Sequence, residues 1–439
     1  MKRRVVALAL IVIAASATTT QAQRLQEVLL RAKPAVALVV SEVGAHVTLS
    51  CGAARTTVEP EPFRETSTGW FVGSSGWLIT NAHVVSSAHR PPEGLSAEMA
   101  KRATRAGCRT TDVKLEPSVS VVLSNGVRMP ATVAKYSPPI AGEDMSGRDL
   151  ALLHLEAADL PALTLGDSNA LKLGDPVHII GFPDVVLTHE LLNASAKMEA
   201  TITNGAVSGF KQDKSGQPVI QTDASAAGGN SGGPTIDDRG RVVGVLTFVT
   251  VTGDQGGIVQ GFNFVIPAQA VRDFLAGTEV KLDEPSRFNV AWHAGLRDFF
   301  AGKYARAANA LGEANRLMPE LPDVVRITRE NEEKVKNPPP RPFPWASVAG
   351  GVTVVGLGAY GTMFVLRWRR NRFRIKPAEL VRMIDSADPP VILDVRDAAT
   401  YERSPVRIPN AQHVAPQSLE SSRPELGIAP DRTLVAYCT

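Results

Sequence analysis

Three short motifs hold residues whose types suit nucleophilic chemistry. Thr80-Asn81-Ala82-His83-Val84-Val85 sets an imidazole just after an apolar run, Asp149-Leu150-Ala151-Leu152-Leu153 opens another run with a carboxylate, and Gly229-Asn230-Ser231-Gly232-Gly233-Pro234 surrounds a serine with glycines. A serine hydroxyl is a poor nucleophile until a neighbouring imidazole takes its proton. A buried carboxylate fixes the imidazole tautomer and stabilises the imidazolium. The glycines let the backbone approach a substrate closely. They also let the Gly229 and Ser231 N–H groups converge on one point, an oxyanion hole in which losing a single donor costs about 10²–10³ in rate. His83, Asp149 and Ser231 are therefore the candidate general base, orienting acid and nucleophile, and this chemistry calls for no metal and no cofactor. Each motif alone is weak, since seven other histidines are present and an aspartate before a strand is commonly a turn residue. The set gains weight from its order and its β-rich setting.

The elements that must position these residues read as follows. From Ala35 to about Val280 short apolar runs alternate with turn signals, as in Trp70-Phe71-Val72, Gly73-Ser74-Ser75-Gly76, Trp77-Leu78-Ile79. Asn125-Gly126 between two apolar runs is a hairpin signal. Many short strands with Gly-rich turns predict a sandwich or barrel.

On these residues the region 25–280 resembles the protease domain of HtrA-like (Deg-type) trypsin-fold serine proteases. The His-Asp-Ser order is that of chymotrypsin-type enzymes. Further stretches carry the likeness: Lys33-Pro34-Ala35-Val36, Leu165-Gly166-Asp167-Ser168, Gly174 to Pro183, Gln221-Thr222-Asp223-Ala224 and Gly261 to Pro267. The resemblance implies two six-stranded β-barrels with the triad in the cleft between them, and protein or peptide substrates. It places the specificity pocket at Ser225 and Ala226 and on the strand Leu246-Thr247-Phe248. Ser225 and Ala226 bring no charge, so the expected preference is for small to medium, neutral side chains. There are departures: the segment from Glu93 to Gly107 is a helix-like, partly basic insert expected to be a surface loop or lid, no PDZ-like domain follows, and Asn230 stands where digestive trypsins have Asp.

The chain has 439 residues, enough for roughly three domains. With 44% hydrophobic and 21% charged residues it is neither disordered nor collagen-like. The formal charge is +3, but six basic residues lie between Arg367 and Lys376, and setting them aside leaves 41 basic against 44 acidic. That balance excludes a basic nucleic-acid binder.

Two apolar segments set the topology. Lys2-Arg3-Arg4 followed by the run Val5–Ala15 and by Thr20-Gln21-Ala22 has the layout of a signal peptide, residues 1–22. Trp345 to Leu366 is uncharged and, as a helix, about 33 Å long, enough to cross a bilayer. The basic cluster behind it belongs on the cytoplasmic side. A Pro-rich linker, 337–344, precedes it as a stiff spacer. The expected arrangement is a single-pass envelope protein with residues 23–344 outside the cytoplasm and 367–439 inside. Cys51 and Cys108 then fall in the oxidising compartment, where they either pair or remain two buried thiols.

Between the two regions, 288–336 reads as helical, with Gly295, Ala307, Leu311, Ala314 and Pro319 at the spacing of one tetratricopeptide repeat. It is expected to be a helical pair docking on the protease or on a protein partner, or a plain spacer. Residues 373–439 read as α/β and resemble a C-terminally incomplete rhodanese-like domain. By that resemblance Cys438 aligns with the sulfur-carrying cysteine, and Asp394 and Arg396 with the motif bracing the fold. The leading functional expectation is a membrane-anchored serine endopeptidase. The alternatives are a non-hydrolytic peptide-binding adaptor and, for a longer chain, a sulfurtransferase-linked protein.

Overall fold

The computed structural model describes residues 23–140, 146–252, 257–340, 345–421 and 427–438. The signal-peptide segment 1–22 and linker residues 341–344 lie outside the described residues. The chain divides into two compact units, residues 1–339 and 340–439.

In the first unit a helix over residues 23–32 (α1) leads into β1, Val36–Cys51. The strands β2 (Ala54–Val58), β3 (Phe63–Gly73), β4 (Trp77–Thr80), β5 (Arg109–Val122), β6 (Arg128–Ser137) and β7 (Leu150–His154) follow. They run in the order β2-β1-β3-β4-β7-β6-β5, and a β1–β5 ladder closes six of them into a barrel with β2 appended outside. The second barrel is closed in the order β10-β13-β12-β11-β8-β9, from β8 (Pro176–Gly181), β9 (Thr201–Gln212), β10 (Pro218–Thr222), β11 (Pro234–Ile236), β12 (Val242–Thr252) and β13 (Gly257–Pro267). The expected two-barrel framework is present. Its apolar runs are buried because closure turns alternate side chains of every strand inward. Trp70, Ile79, Leu150, Leu152, Ile180 and Phe182 share one cluster that draws on both barrels.

The strands β1 and β5 pair along 13 residues from Leu38 to Ser50, well past the barrel rim. With β2 they form an arm. Here the structure corrects the expectation for the Glu93–Gly107 insert. Following α2 (Ala82–His89), the insert forms helix α3, Leu95–Arg102, and buries Leu95 and Met99 with Ala103 against Val43, Ala45, Val47 and Leu49. It roofs the arm, and its apolar stripe is consumed by that packing rather than left to cover the cleft. Cys51 and Cys108 are joined by a disulfide across the same arm.

Two one-turn helices, α4 (Asp184–Leu187) and α5 (Ala194–Lys197), sit between β8 and β9, and α6 (Ala268–Leu275) closes the second barrel. Three helices follow: α7 (Arg287–Phe300), α8 (Tyr304–Leu317) and α9 (Pro322–Lys336). Ser286 caps the first, accepting from the Asn289 N–H at 3.1 Å. Gly295 is where α7 and α8 touch, since a Cβ there would meet Leu311 Cδ2 at 2.6 Å. The bundle packs against α1 of the same unit. Trp292 Nε1 donates to the Leu30 carbonyl of α1 at 2.8 Å, Leu30 joins the bundle's core, and Lys33 pairs with the buried Asp323 at 3.0 Å.

In the second unit, α10 (Trp345–Asn371) is a single apolar helix. By length and composition it is able to cross a membrane, and none of its apolar window is buried. Beyond it α11 (Pro377–Ile384), α12 (Ala398–Arg403) and α13 (Pro416–Ser421) accompany a parallel sheet in the order β15-β14-β16, from β14 (Val391–Asp394), β15 (Gln412–His413) and β16 (Leu434–Tyr437). The brace is visible. Arg396 Nε donates to Asp394 Oδ1 at 2.8 Å, Tyr437 Oη donates to Asp394 Oδ2 at 2.6 Å, and both members of the ion pair are buried. The guanidinium and the phenol hold the Asp394 carboxyl far below the usual carboxylate range. Cys438 is exposed, one residue past the end of β16.

Candidate active site

The cleft between the barrels brings His83, Asp149 and Ser231 onto one open cavity of about 750 Å³. His83 stands in the first turn of α2. Its Nδ1 lies 2.8 Å from Asp149 Oδ2, while its backbone N–H donates to Asp149 Oδ1 at 2.9 Å. Both carboxylate oxygens are thus tied to one residue, which fixes the ring's orientation. Thr247 Oγ1 also donates to Oδ2, at 2.7 Å. The Nδ1 contact is a hydrogen bond to an acceptor-only carboxylate, so the proton sits on Nδ1 and Nε2 is left as the base.

Asp149 reaches this position through a backbone that few side chains adopt, φ +50°. The conformation is held at both ends. Asp149 N–H donates to the Pro138 carbonyl at 3.0 Å, and the Asp149 carbonyl accepts from Asn81 Nδ2 at 2.7 Å. Asn81 therefore positions the aspartate that orients its neighbour's neighbour, His83. Burial of the ring works against its charged form. The hydrogen bond and charge of Asp149, with the charge of Glu65 behind them, outweigh it, so His83 titrates above the usual histidine value.

The loop that carries Ser231 is pinned by its carbonyls. Gly228 C=O accepts from Asp184 N–H at 2.8 Å, Gly229 C=O from Thr68 Oγ1 at 2.6 Å, Asn230 C=O from Gly233 N–H at 3.0 Å, and Ser231 C=O from Ser67 Oγ at 2.7 Å and Thr68 N–H at 3.1 Å. In a trans peptide the N–H points opposite the preceding carbonyl. Fixing the Gly228 and Asn230 carbonyls therefore fixes the Gly229 and Ser231 N–H groups, both aimed away from those partners. Gly229 (φ +86°) and Gly232 (φ +82°) must be glycine. A Cβ on the first would sit 2.4 Å from the Phe182 carbonyl, and on the second 2.3 Å from the Thr68 carbonyl. Ser231 Oγ donates to the Thr247 carbonyl at 3.2 Å.

Thr68, fully buried on β3, is the hub of this arrangement. Besides donating to Gly229 C=O, its hydroxyl accepts from Phe182 N–H at 2.9 Å, and its own carbonyl accepts from Thr80 Oγ1 at 2.7 Å. Sequence reading missed Thr68, Ser67, Asn81 and Asp184. The one visible hint was a run of hydroxyl residues, Thr66-Ser67-Thr68, on a strand about to be buried.

The expected pocket residues separate. Thr247 lines the cavity with His83 and Ser231. Ala226 and Leu246 are buried in the second barrel's own cluster. Ser225 is exposed, its carbonyl accepting from Thr203 Oγ1 at 2.6 Å. The side chain of Phe248 lies outside the described residues. The cavity is lined besides by Pro139, Ile140 and Arg148, by Gln212 to Lys214 of the β9–β10 hairpin, and by Val219, Phe264 and Ile266.

Comparison with known proteins bears on both units. Residues 67–245 match the family described as "Trypsin-like peptidase domain", and residues 376–439 match "Rhodanese-like domain". "Serine protease HTR4" of Bos taurus is 29% identical over 266 residues, 59% of this chain and 42% of that protein. "Probable periplasmic serine endoprotease DegP-like" of Chlamydia trachomatis serovar D is 28% identical over 307 residues, 60% of this chain and 52% of the other. "Protease Do-like 5, chloroplastic" of Arabidopsis thaliana is 31% identical over 230 residues, 51% and 59% respectively. The chain spans about half the length of the curated relatives it matches.

Proposed function

We propose that the HtrA/DegP-type trypsin-like serine protease domain of this chain, joined here to a rhodanese-like domain, is a working serine endopeptidase. The observation that carries the reading is the carboxylate–imidazole pair: Asp149 Oδ2 at 2.8 Å from His83 Nδ1, beside Ser231 on one cavity.

The geometry supports the following chemistry. Ser231 Oγ turns from the Thr247 carbonyl toward His83 Nε2, gives it a proton and bonds to the substrate's carbonyl carbon. The carbonyl oxygen takes up the negative charge and meets the Gly229 and Ser231 N–H groups. His83, now an imidazolium stabilised by Asp149, returns the proton to the departing amine as the C–N bond breaks. Water then attacks the acyl-enzyme by the same steps in reverse. The apolar part of the cavity wall, Val219, Phe264 and Ile266, receives side chains of the acyl half beside Thr247.

The domain works outside the cytoplasm, held to the membrane by α10 with the rhodanese-like tail inside. The uncharged stretch 345–366 and the six basic residues after it support that topology. Hydrolysis of a mixed peptide library by the purified chain, lost in Ser231→Ala at unchanged thermal stability, is the expected result. Undiminished hydrolysis by S231A would refute it.

A further inference from the structure

His83 has a second carboxylate beside it. Glu65 lies on β3, three residues before Thr68, and its Oε2 accepts a short hydrogen bond from Ser87 Oγ. His83 and Ser87 are four residues apart on α2, so they share one face of that helix. Glu65 is therefore held against the turn of α2 next to the imidazole. The neighbouring Arg64 does not cancel its charge. Successive strand residues point to opposite faces, and Arg64 Nε is engaged by Glu42 Oε2 at 2.9 Å.

Glu65 is not among the residues lining the cavity that continues past Asp149 and Thr247. The cavity takes the acyl half of the substrate. The amine that leaves must receive its proton from His83 Nε2, so the chain beyond the cut bond passes the imidazole on its way out, along the other wall, where Glu65 is fixed. We infer that Glu65 is a specificity-determining residue that favours substrates carrying lysine or arginine in the first two positions after the bond cut. The inference rests on the endopeptidase reading and adds the charge of the leaving half to it.

The test is a proteome-derived peptide library digested by the full chain, with cut sites mapped by mass spectrometry, for wild type and Glu65→Gln. Glutamine keeps an acceptor for Ser87 and removes only the charge. Wild type is expected to favour basic over acidic residues at those two positions by about three-fold or more at low salt, shrinking as ionic strength rises. E65Q is expected to bring the ratio close to one while still cutting neutral sequences. Cleavage with no charge preference, or a preference unchanged in E65Q, would overturn the inference and leave the endopeptidase reading standing. Absence of any cleavage by folded wild type would overturn both.

Discussion

Thr68→Val tests how the proposed oxyanion hole is built. Valine has nearly the shape of threonine, so the perturbation is the loss of one hydroxyl in a site with no solvent exposure. That hydroxyl serves two main-chain groups, accepting from Phe182 N–H at 2.9 Å and donating to Gly229 C=O at 2.6 Å. The Phe182 N–H is left without a partner, while Gly229 C=O keeps only the longer bond from Ser67 Oγ at 3.3 Å. One buried orphan costs about 1–3 kcal/mol, which an unrelaxed variant loses. The nucleophile loop has an escape: the Gly229 carbonyl swings toward other donors, carrying the adjoining peptides with it, and the Gly229 N–H leaves the hole. The cost then moves from stability to catalysis, where one missing donor is worth about 10²–10³ in kcat. The measurement is thermal melting together with kcat and KM on a cleaved peptide. T68V is expected to lose several degrees in Tm, or to lose kcat by about 10² with little change in KM, or to divide the loss between them. Thr68→Ser keeps the hydroxyl and is expected to retain kcat within a few-fold. A T68V protein with wild-type Tm and wild-type kcat would refute the reasoning.

Other predictions follow from the same contacts. His83 must be neutral to take the serine proton, and its environment raises its pKa, so kcat/KM rises with pH through a midpoint above the ordinary value of about 6.5; a midpoint below it contradicts the electrostatics. Thr247→Val removes a donor from the Asp149 carboxylate and is expected to lower kcat/KM by about ten-fold or more, a bond to a charged group being worth about 1.5–3 kcal/mol. The double variant Cys51→Ser, Cys108→Ser opens a crosslink spanning 57 residues and is expected to cost up to about 4 kcal/mol in urea unfolding. Its activity is expected to stay near wild type, because the arm lines no part of the cavity; an unchanged unfolding midpoint counts against the crosslink. His293, kept neutral by burial and by the charge of Arg31, has its pKa lowered to about 4. The unfolded chain binds that proton first, so stability is full above about pH 6.5 and falls by about 2–3 kcal/mol as pH drops toward 4; His293→Gln flattens that slope.

What the sequence made legible was local. His83, Asp149 and Ser231 each announced themselves by residue type and immediate neighbours, and the apolar runs implied closed β-structure. The parts that stayed hidden are those made by distant segments. Thr68 acts on Gly229 from 161 residues away, and a buried threonine on a strand looks the same whether it serves a loop or nothing. The arm was missed although β1 changes character along its length. Val36 to Ser41 are continuously buried and alternation sets in only from Glu42, but a solid apolar run followed by Val43, Ala45, Val47 and Leu49 reads in sequence as one long strand. The helix-like character of the 93–107 insert was readable, but its target was not: Leu95 and Met99 form an apolar stripe that suits a lid or a roof equally well, and only the exposed face of the β1–β5 ribbon decides between them. The connector's helices were likewise visible from Gly295 and Ala307, while their seat on Leu30 depends on a helix more than 250 residues earlier. Ala226 and Leu246 were assigned to a pocket on fold resemblance alone, and the second barrel uses both to fill its own interior.

The central claim is that Ser231 is an activated nucleophile served by His83 and Asp149. The most direct measurement is reaction of the folded full chain with a fluorophosphonate probe, followed by mapping of the modified residue. The account predicts stoichiometric modification of Ser231, slowed by orders of magnitude in His83→Ala and absent in Ser231→Ala. A folded wild-type protein that stays unmodified, or one modified equally well in S231A, would contradict it.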